Sequence, residues 1–169
     1  LDYVVIMSDF FNKTDLNRKD AENIVSDTLL NCDDGELYLE NSKTETIVLD
    51  DHKIKSSNYS SDLGYGLRAV TGEVVAYSHS NEISKSSLRQ SSENLSSTLK
   101  SKKGTYNHKI SKTNERFYKD INPIEKKSLN SKLEILKEVN NYIRSKGSLV
   151  KQVTANFLGE HKAIEIIRA

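Results

Sequence analysis

The sequence predicts an α+β domain: an antiparallel, meandering β-sheet packed with several helices, ending in a C-terminal β-hairpin. Two patterns predict it. Apolar and polar residues alternate with a period of two through much of residues 36–79, and helical spacing takes over on both sides of that stretch. The links between the alternating runs are also short: Asn41-Ser42, Asp50-Asp51-His52 and Thr71-Gly72. A parallel crossover needs about a dozen residues or more, so these runs pair antiparallel and a dinucleotide-binding fold is excluded.

Residues 1–10 are apolar but ambiguous. Val4, Val5 and Ile6 favour a strand, while Tyr3, Met7, Phe10 and Phe11 fall at helical spacing. Thr14 or Asp15 is placed to N-cap a first helix, with Leu16, Ile24, Val25, Thr28 and Leu29 on one face and Asp33-Asp34-Gly35 at its end. Strands follow around Leu37 and Leu39, Thr46 and Val48, Tyr65 to Ala69, and Val75 and Tyr77. A second helix runs from Ser84, its N-cap, to about Lys100 on a narrow stripe of Leu88, Leu95 and Leu99. Serines fill most of its other positions, so it depends on packing rather than propensity. Residues 101–120 read as a long polar surface loop. Asn122-Pro123-Ile124-Glu125 has the form of a helix start, and Ser128 caps a second stretch. Leu129, Leu133, Leu136, Val139, Tyr142 and Ile143 form its apolar face, and Gly147 stops it. The closing hairpin turns near Gly159-Glu160-His161, with Ile164, Ile166 and Ile167 on the return strand.

Hydrophobic residues make up 36% of the chain and charged residues 29%. That supports only a modest core, and such a domain has reason to bury further apolar surface against another domain or chain. Lys+Arg (25) nearly balances Asp+Glu (24), a net charge of +1. A nucleic-acid binder shows a basic excess or stripe, whereas Lys100 with Lys102-Lys103, and Lys126-Lys127, sit among polar residues as solvated surface. No stretch approaches the ~18 apolar residues of a membrane span, and the opening Leu1–Met7 is too short, without a basic flank, for a signal peptide. With no initiator Met, the first residues are expected to be missing or processed. The single cysteine, Cys32, excludes an intrachain disulfide and reads as a small semi-buried apolar residue.

Catalytic patterns are missing. A metallopeptidase helix carries two histidines one turn apart with a glutamate acting on the bound water. His52, His79, His108 and His161 are far apart in sequence, and Glu160-His161 falls at the expected turn. There is no G-x-S-x-G elbow and no phosphate loop. Ser78-His79-Ser80 is the one suggestive cluster, although a strand-end histidine is more often a surface hydrogen-bonding group. Gly64-Tyr65-Gly66 marks a bulge or a close backbone approach.

Several blocks carry a resemblance. Leu37-Tyr38-Leu39-Glu40 is followed by Val48-Leu49-Asp50-Asp51, then Asp62-Leu63-Gly64-Tyr65-Gly66-Leu67-Arg68-Ala69-Val70 with Gly72-Glu73. Asn122-Pro123, Lys132-Leu133-Glu134-Ile135-Leu136 and Val153-Thr154-Ala155 continue the order. From about residue 15 onward the chain resembles the N-terminal domain of the TldD/PmbA family of metallopeptidases, nearer TldD than PmbA. Asp50-Asp51 in place of a Glu-Asp pair, and Ala76 in place of glycine, depart from its pattern.

The resemblance implies that residues 1–169 form one non-catalytic N-terminal domain, with the catalytic C-terminal domain absent from this chain. Zinc is then expected in that other domain and no cofactor here, so no catalytic residue carries over. It further implies a cytoplasmic bacterial protein whose partners are its own C-terminal domain, a second copy or a TldE/PmbA-like protein, and a peptide substrate, with neither nucleic acid nor membrane. The family's label as a modulator of DNA gyrase finds no support in the near-neutral charge. Within this frame Tyr65, Arg68 and His79 are candidates for peptide-binding or interface contacts at an exposed strand edge. The plainer reading makes Arg68 a structural ion-pair partner and packs Tyr65 in the core. The rival to the whole frame is a stand-alone, non-catalytic interaction module from a truncated or split gene.

Overall fold

The computed structural model describes residues 10–12, 14–99, 104 and 121–168. The expectations for residues 1–9 and for the 101–120 loop lie outside them, Gly104 aside. The elements are α1 (Arg18–Leu29), β1 (Asp34–Asp50), β2 (Lys53–Thr71), β3 (Val74–Ser80), α2 (Lys85–Leu99), α3 (Leu129–Arg144) and β4 (Thr154–Ile167). The strands form one sheet in the order β3-β2-β1-β4, so the fold is α+β with an antiparallel meander, as expected.

Two links differ from the sequence reading, and the Asp50-Asp51-His52 link is found one residue shorter. Asn41-Ser42 is no turn, and β1 runs straight through it. The β1–β2 turn is Asp51-His52, both at positive φ (44° and 69°), which a two-residue hairpin of the I′ kind demands. The C-terminal hairpin is replaced by one continuous strand, β4, running through Gly159-Glu160-His161. Gly159 marks a close approach, because a Cβ there would stand 3.2 Å from the Ile124 side chain.

The chain divides into two compact units: Leu1–Asn41, Asp62–Lys119 and Ala163–Ala169 form the first, and Ser42–Ser61 with Asp120–Lys162 the second. In the first, α1 and α2 cover one sheet face. Val25, Leu29, Leu37, Leu39, Leu67 and Leu88, each at most 1% exposed, form the centre of its core. The cap of α1 is Asn17 rather than Thr14 or Asp15. Its side chain accepts from Asp20 N at 2.8 Å and donates to the Asp20 carboxylate at 3.0 Å, satisfying an orphan helix donor. Asp15 instead accepts from Lys85 N at 3.0 Å, at the start of α2. Ser84 caps α2 as expected, accepting from Ser87 N at 3.1 Å, and Leu88, Leu95 and Leu99 are its buried stripe. Cys32 is buried with its thiol 3.6 Å from the Thr28 carbonyl.

The second unit packs α3 on a small core of Ile47, Leu49, Leu136 and Ala155, flanked by Leu133 and Phe157. Asn122-Pro123 starts only a turn, with Ile124 N donating to the Asn122 side chain at 3.0 Å. The helix begins at Leu129 on its Ser128 cap. Its inner face is not the expected one. Lys132, Leu136 and Asn140 are buried, while Leu129, Val139, Tyr142 and Ile143 are exposed. The apolar arc is wider than the contact, and the core takes the flank bearing two polar residues. Lys132 is satisfied there by Glu45 and by the Ile124 carbonyl at 2.7 Å. Asn140 shares a hydrogen bond with His52 Nδ1 at 2.8 Å and accepts one from Arg144 at 3.3 Å.

Candidate functional site

In the first unit the sheet face turned away from α1 and α2 is left open by the described residues. Period-two alternation puts Val75, Tyr77 and His79 of β3 on it, opposite Val70, Arg68 and Gly66 of β2. Asp34, Glu36, Tyr38 and Glu40 of β1 follow, then Ile164, Ile166 and Arg168 at the end of the chain. Its centre is a charged row. Arg68 donates to Asp34 at 2.7 Å and to Glu36 at 3.2 Å, and Arg168 reaches Glu36 at 2.7 Å. Its margins are apolar and uncovered: Val75 is 59% exposed, Tyr77 63%, Ile164 49% and Ile166 51%.

The three residues singled out by sequence separate here. Tyr65 points the other way, into the core, 5% exposed, with its hydroxyl shared between Ser87 (2.8 Å) and Ser91 (2.9 Å). Arg68 lies on the open face within its ion pairs. His79 is also on that face, stacked on Tyr77 with ring centroids 5.8 Å apart. Gly66 is a close approach: a Cβ there would strike the Tyr77 ring, which lies across it. Sequence reasoning passed over Tyr77, Ile164 and Ile166. Their signal was apolar residues at every second position opposite those assigned to the core.

Behind β3 lies a groove of about 430 Å³, lined by Ser78 and Ser80 of the strand and by Ser87, Gln90, Ser91 and Asn94 of α2. These helix positions share one face. Among the described residues no group of three or more His, Cys, Asp or Glu side chains could hold a metal ion.

The hydrogen bond from Arg68 holds the Asp34 carboxyl below its ordinary value of 3.8, with burial opposing. On the neighbouring pair, the hydrogen bond to Glu40 (2.5 Å) pushes the Tyr38 hydroxyl up to about 12. A depressed carboxylate contributes stability that is full above its unfolded value and lost as pH falls through the folded one. Arg68→Gln is therefore expected to lower the urea midpoint at neutral pH, with the gap to wild type closing as the pH falls through the depressed titration of Asp34. Both side chains are about one-third exposed (32% and 35%), so solvent screening keeps the effect at or below about 1 kcal/mol. A gap independent of pH would assign the loss to packing instead.

A helix-backed sheet with one open face describes a class of domain, and comparison identifies the family. Residues 35–101 match the family described as PmbA/TldA metallopeptidase domain 1. The chain is 35% identical over 133 residues to the metalloprotease TldD homolog of Buchnera aphidicola subsp. Acyrthosiphon pisum, covering 78% of this chain and 28% of that protein. It is 29% identical over 143 residues to the TldD homolog of Haemophilus influenzae, covering 81% and 29%. Its fold is shared with a Bacteroides thetaiotaomicron protein described as a candidate modulator of DNA gyrase (TM-score 0.64, 17% identity, 89% of this chain and 36% of that one). It is shared also with TldE from Thermococcus kodakarensis (TM-score 0.56, 14% identity, 87% and 34%). The chain belongs to the TldD/PmbA metallopeptidase family, and its residues 35–101 match that family's first domain. It spans between 28% and 34% of the length of the curated relatives it matches. No helix among the described residues is long and apolar enough to cross a membrane.

Proposed function

We propose that this chain is the non-catalytic N-terminal domain of a TldD-like zinc metallopeptidase acting on peptides or unfolded proteins. It supplies scaffold, substrate-channel or dimer contacts, while zinc and the reacting groups belong to the C-terminal remainder. A cytoplasmic location and a second copy or a TldE/PmbA-like protein as partner belong to the same reading. The observation that carries it is the open face. Val75 and Tyr77 on one margin, and Ile164 and Ile166 on the other, are large apolar residues left about half or more exposed on one sheet surface, and apolar exposure of that kind beside a charged row suits a surface that meets another domain or chain.

The test uses the full reading frame that contains this chain. Tyr77→Asp combined with Ile166→Asp is expected to disrupt assembly on size-exclusion chromatography and to cut peptidase activity on an unfolded substrate by about tenfold or more. The same pair in the isolated chain should leave its melting temperature nearly unchanged, since both side chains are already exposed. Wild-type assembly and activity in the double variant would overturn the reading. A frame that ends at Ala169, or that lacks an H-E-x-x-x-H motif downstream, would favour a stand-alone interaction module.

A further inference from the structure

We propose that the groove between β3 and α2 receives an extended peptide as an added strand, with its amino terminus or a basic side chain beside Glu82. This rests on the reading of the chain as part of a peptide-handling protein, and it names the surface that does the handling. β3 is the terminal strand of the sheet. Among the described residues no strand lies beyond it, so none of them pairs as a strand with its outer main-chain groups along the seven residues Val74–Ser80. A terminal strand flanked by a helix is the arrangement in which main-chain pairing supplies affinity and the groove accommodates side chains. The groove, about 430 Å³, is an open trough along the strand rather than an enclosed cavity, a shape that suits an extended chain laid along it.

The lining is prebuilt. Ser91 is 4% exposed, and its hydroxyl is fixed by Tyr65 at 2.9 Å and by Ser78 at 3.0 Å. Tyr65 is thus a positioning residue, holding the floor from beneath. Hydroxyl and amide groups each donate and accept, so the lining suits varied peptide side chains. The one carboxylate among the lining residues is Glu82, two residues past the end of β3; His79 also lines the groove, and no lysine or arginine does. That polarity favours a cationic end and disfavours an anion. The start of α2 offers an anion little, because Asp15 already accepts from Lys85 N and Ser84 from Ser87 N.

The probe is a short Ser/Thr/Val peptide with a free amino terminus and a dye on its carboxyl end, followed by fluorescence anisotropy on this chain. Gln90→Trp fills the groove from an exposed helix position, and Asn94→Trp is its backup if the first variant melts early. Either is expected to weaken binding about tenfold or more at unchanged melting temperature. Glu82→Gln and N-acetylation of the peptide should each weaken it severalfold, and together no further than either alone. No binding by wild type, or unchanged binding by both groove-filling variants, overturns the proposal, and independent effects of Glu82→Gln and acetylation overturn the assigned direction. In the full-length protein, normal activity with Gln90→Trp beside lost activity with Tyr77→Asp/Ile166→Asp rejects the groove and spares the domain reading. Normal activity with both rejects the two together.

Discussion

Lys132→Met is expected to destabilise the protein by about 3–5 kcal/mol, read as a drop in the urea midpoint at neutral pH. The Lys132 side chain is 3% exposed and that of its partner Glu45 11%. The ammonium is further held by the Ile124 carbonyl at 2.7 Å and lies 5.7 Å from the centre of the Phe157 ring. Removing the lysine leaves a buried carboxylate without its cation, and desolvation is no longer offset. Glu45→Gln should cost a comparable amount for the mirror-image reason. The double variant Lys132→Met/Glu45→Leu is expected to recover most of the loss, because replacing both charges with apolar groups removes the desolvation penalty altogether. The signature is thus strong coupling, with two costly single variants and a mild double. A single variant costing less than about 1 kcal/mol would mean that water reaches the pair.

That ion pair also shows where sequence patterning stops. The helix over Leu129–Arg144 was legible from its Ser128 cap and its apolar spacing, yet the face it buries was not. A lysine and an asparagine on the buried stripe look like solvent residues until Glu45 and His52, 87 and 88 residues upstream, are brought against them. Partners that distant leave no local period. The C-terminal hairpin failed for a related reason. Glycine in a strand signals either a turn or a close neighbour, and the neighbour of Gly159 is Ile124, on a different segment. The meander of β1, β2 and β3 was legible because alternation and two-residue links are local properties. The open face was half legible. Once Leu37, Leu39, Leu67 and Ala69 are assigned to the core, alternation sends Arg68 and Tyr77 to the other side. Which residues on that side pair with one another depends on register between strands, and a single sequence carries little of it. The groove was the least legible part. Its serines read as indifferent filler on α2, and only the contact of Ser91 with Tyr65 and Ser78 gives them a common purpose.

Gly35→Ala is expected to cost about 1–3 kcal/mol, more than the same change at the glycines that drew attention in the sequence. A Cβ at position 35 would lie 2.3 Å from a methyl of Leu29 and 2.6 Å from the main-chain oxygen of Arg68. Neither can retreat cheaply: Leu29 is 1% exposed within the core, and the Arg68 oxygen belongs to the strand beside β1. At Gly64 the nearest atom is the Ser80 main-chain oxygen, 2.8 Å away, so β3 would have to shift slightly and the cost should be smaller. At Gly66 the obstacle is the ring of Tyr77, which is 63% exposed and free to swing outward. Alanine there should cost about 1 kcal/mol or less, part of it regained from the stiffer unfolded chain. Thermal melts of the three variants therefore rank Gly35 as most damaging and Gly66 as least. The reverse order would mean that the Tyr77 ring is fixed and the start of β1 is soft. Gly35 lies between Asp34 and Glu36, the two acids that hold Arg68, so its displacement also reaches the open face. A Gly35→Ala protein that still folds should lose the narrowing of the Arg68→Gln gap at low pH, because Asp34 no longer meets the guanidinium squarely. Retention of that pH dependence alongside the stability loss would confine the strain to the Leu29 side and leave the charged row intact.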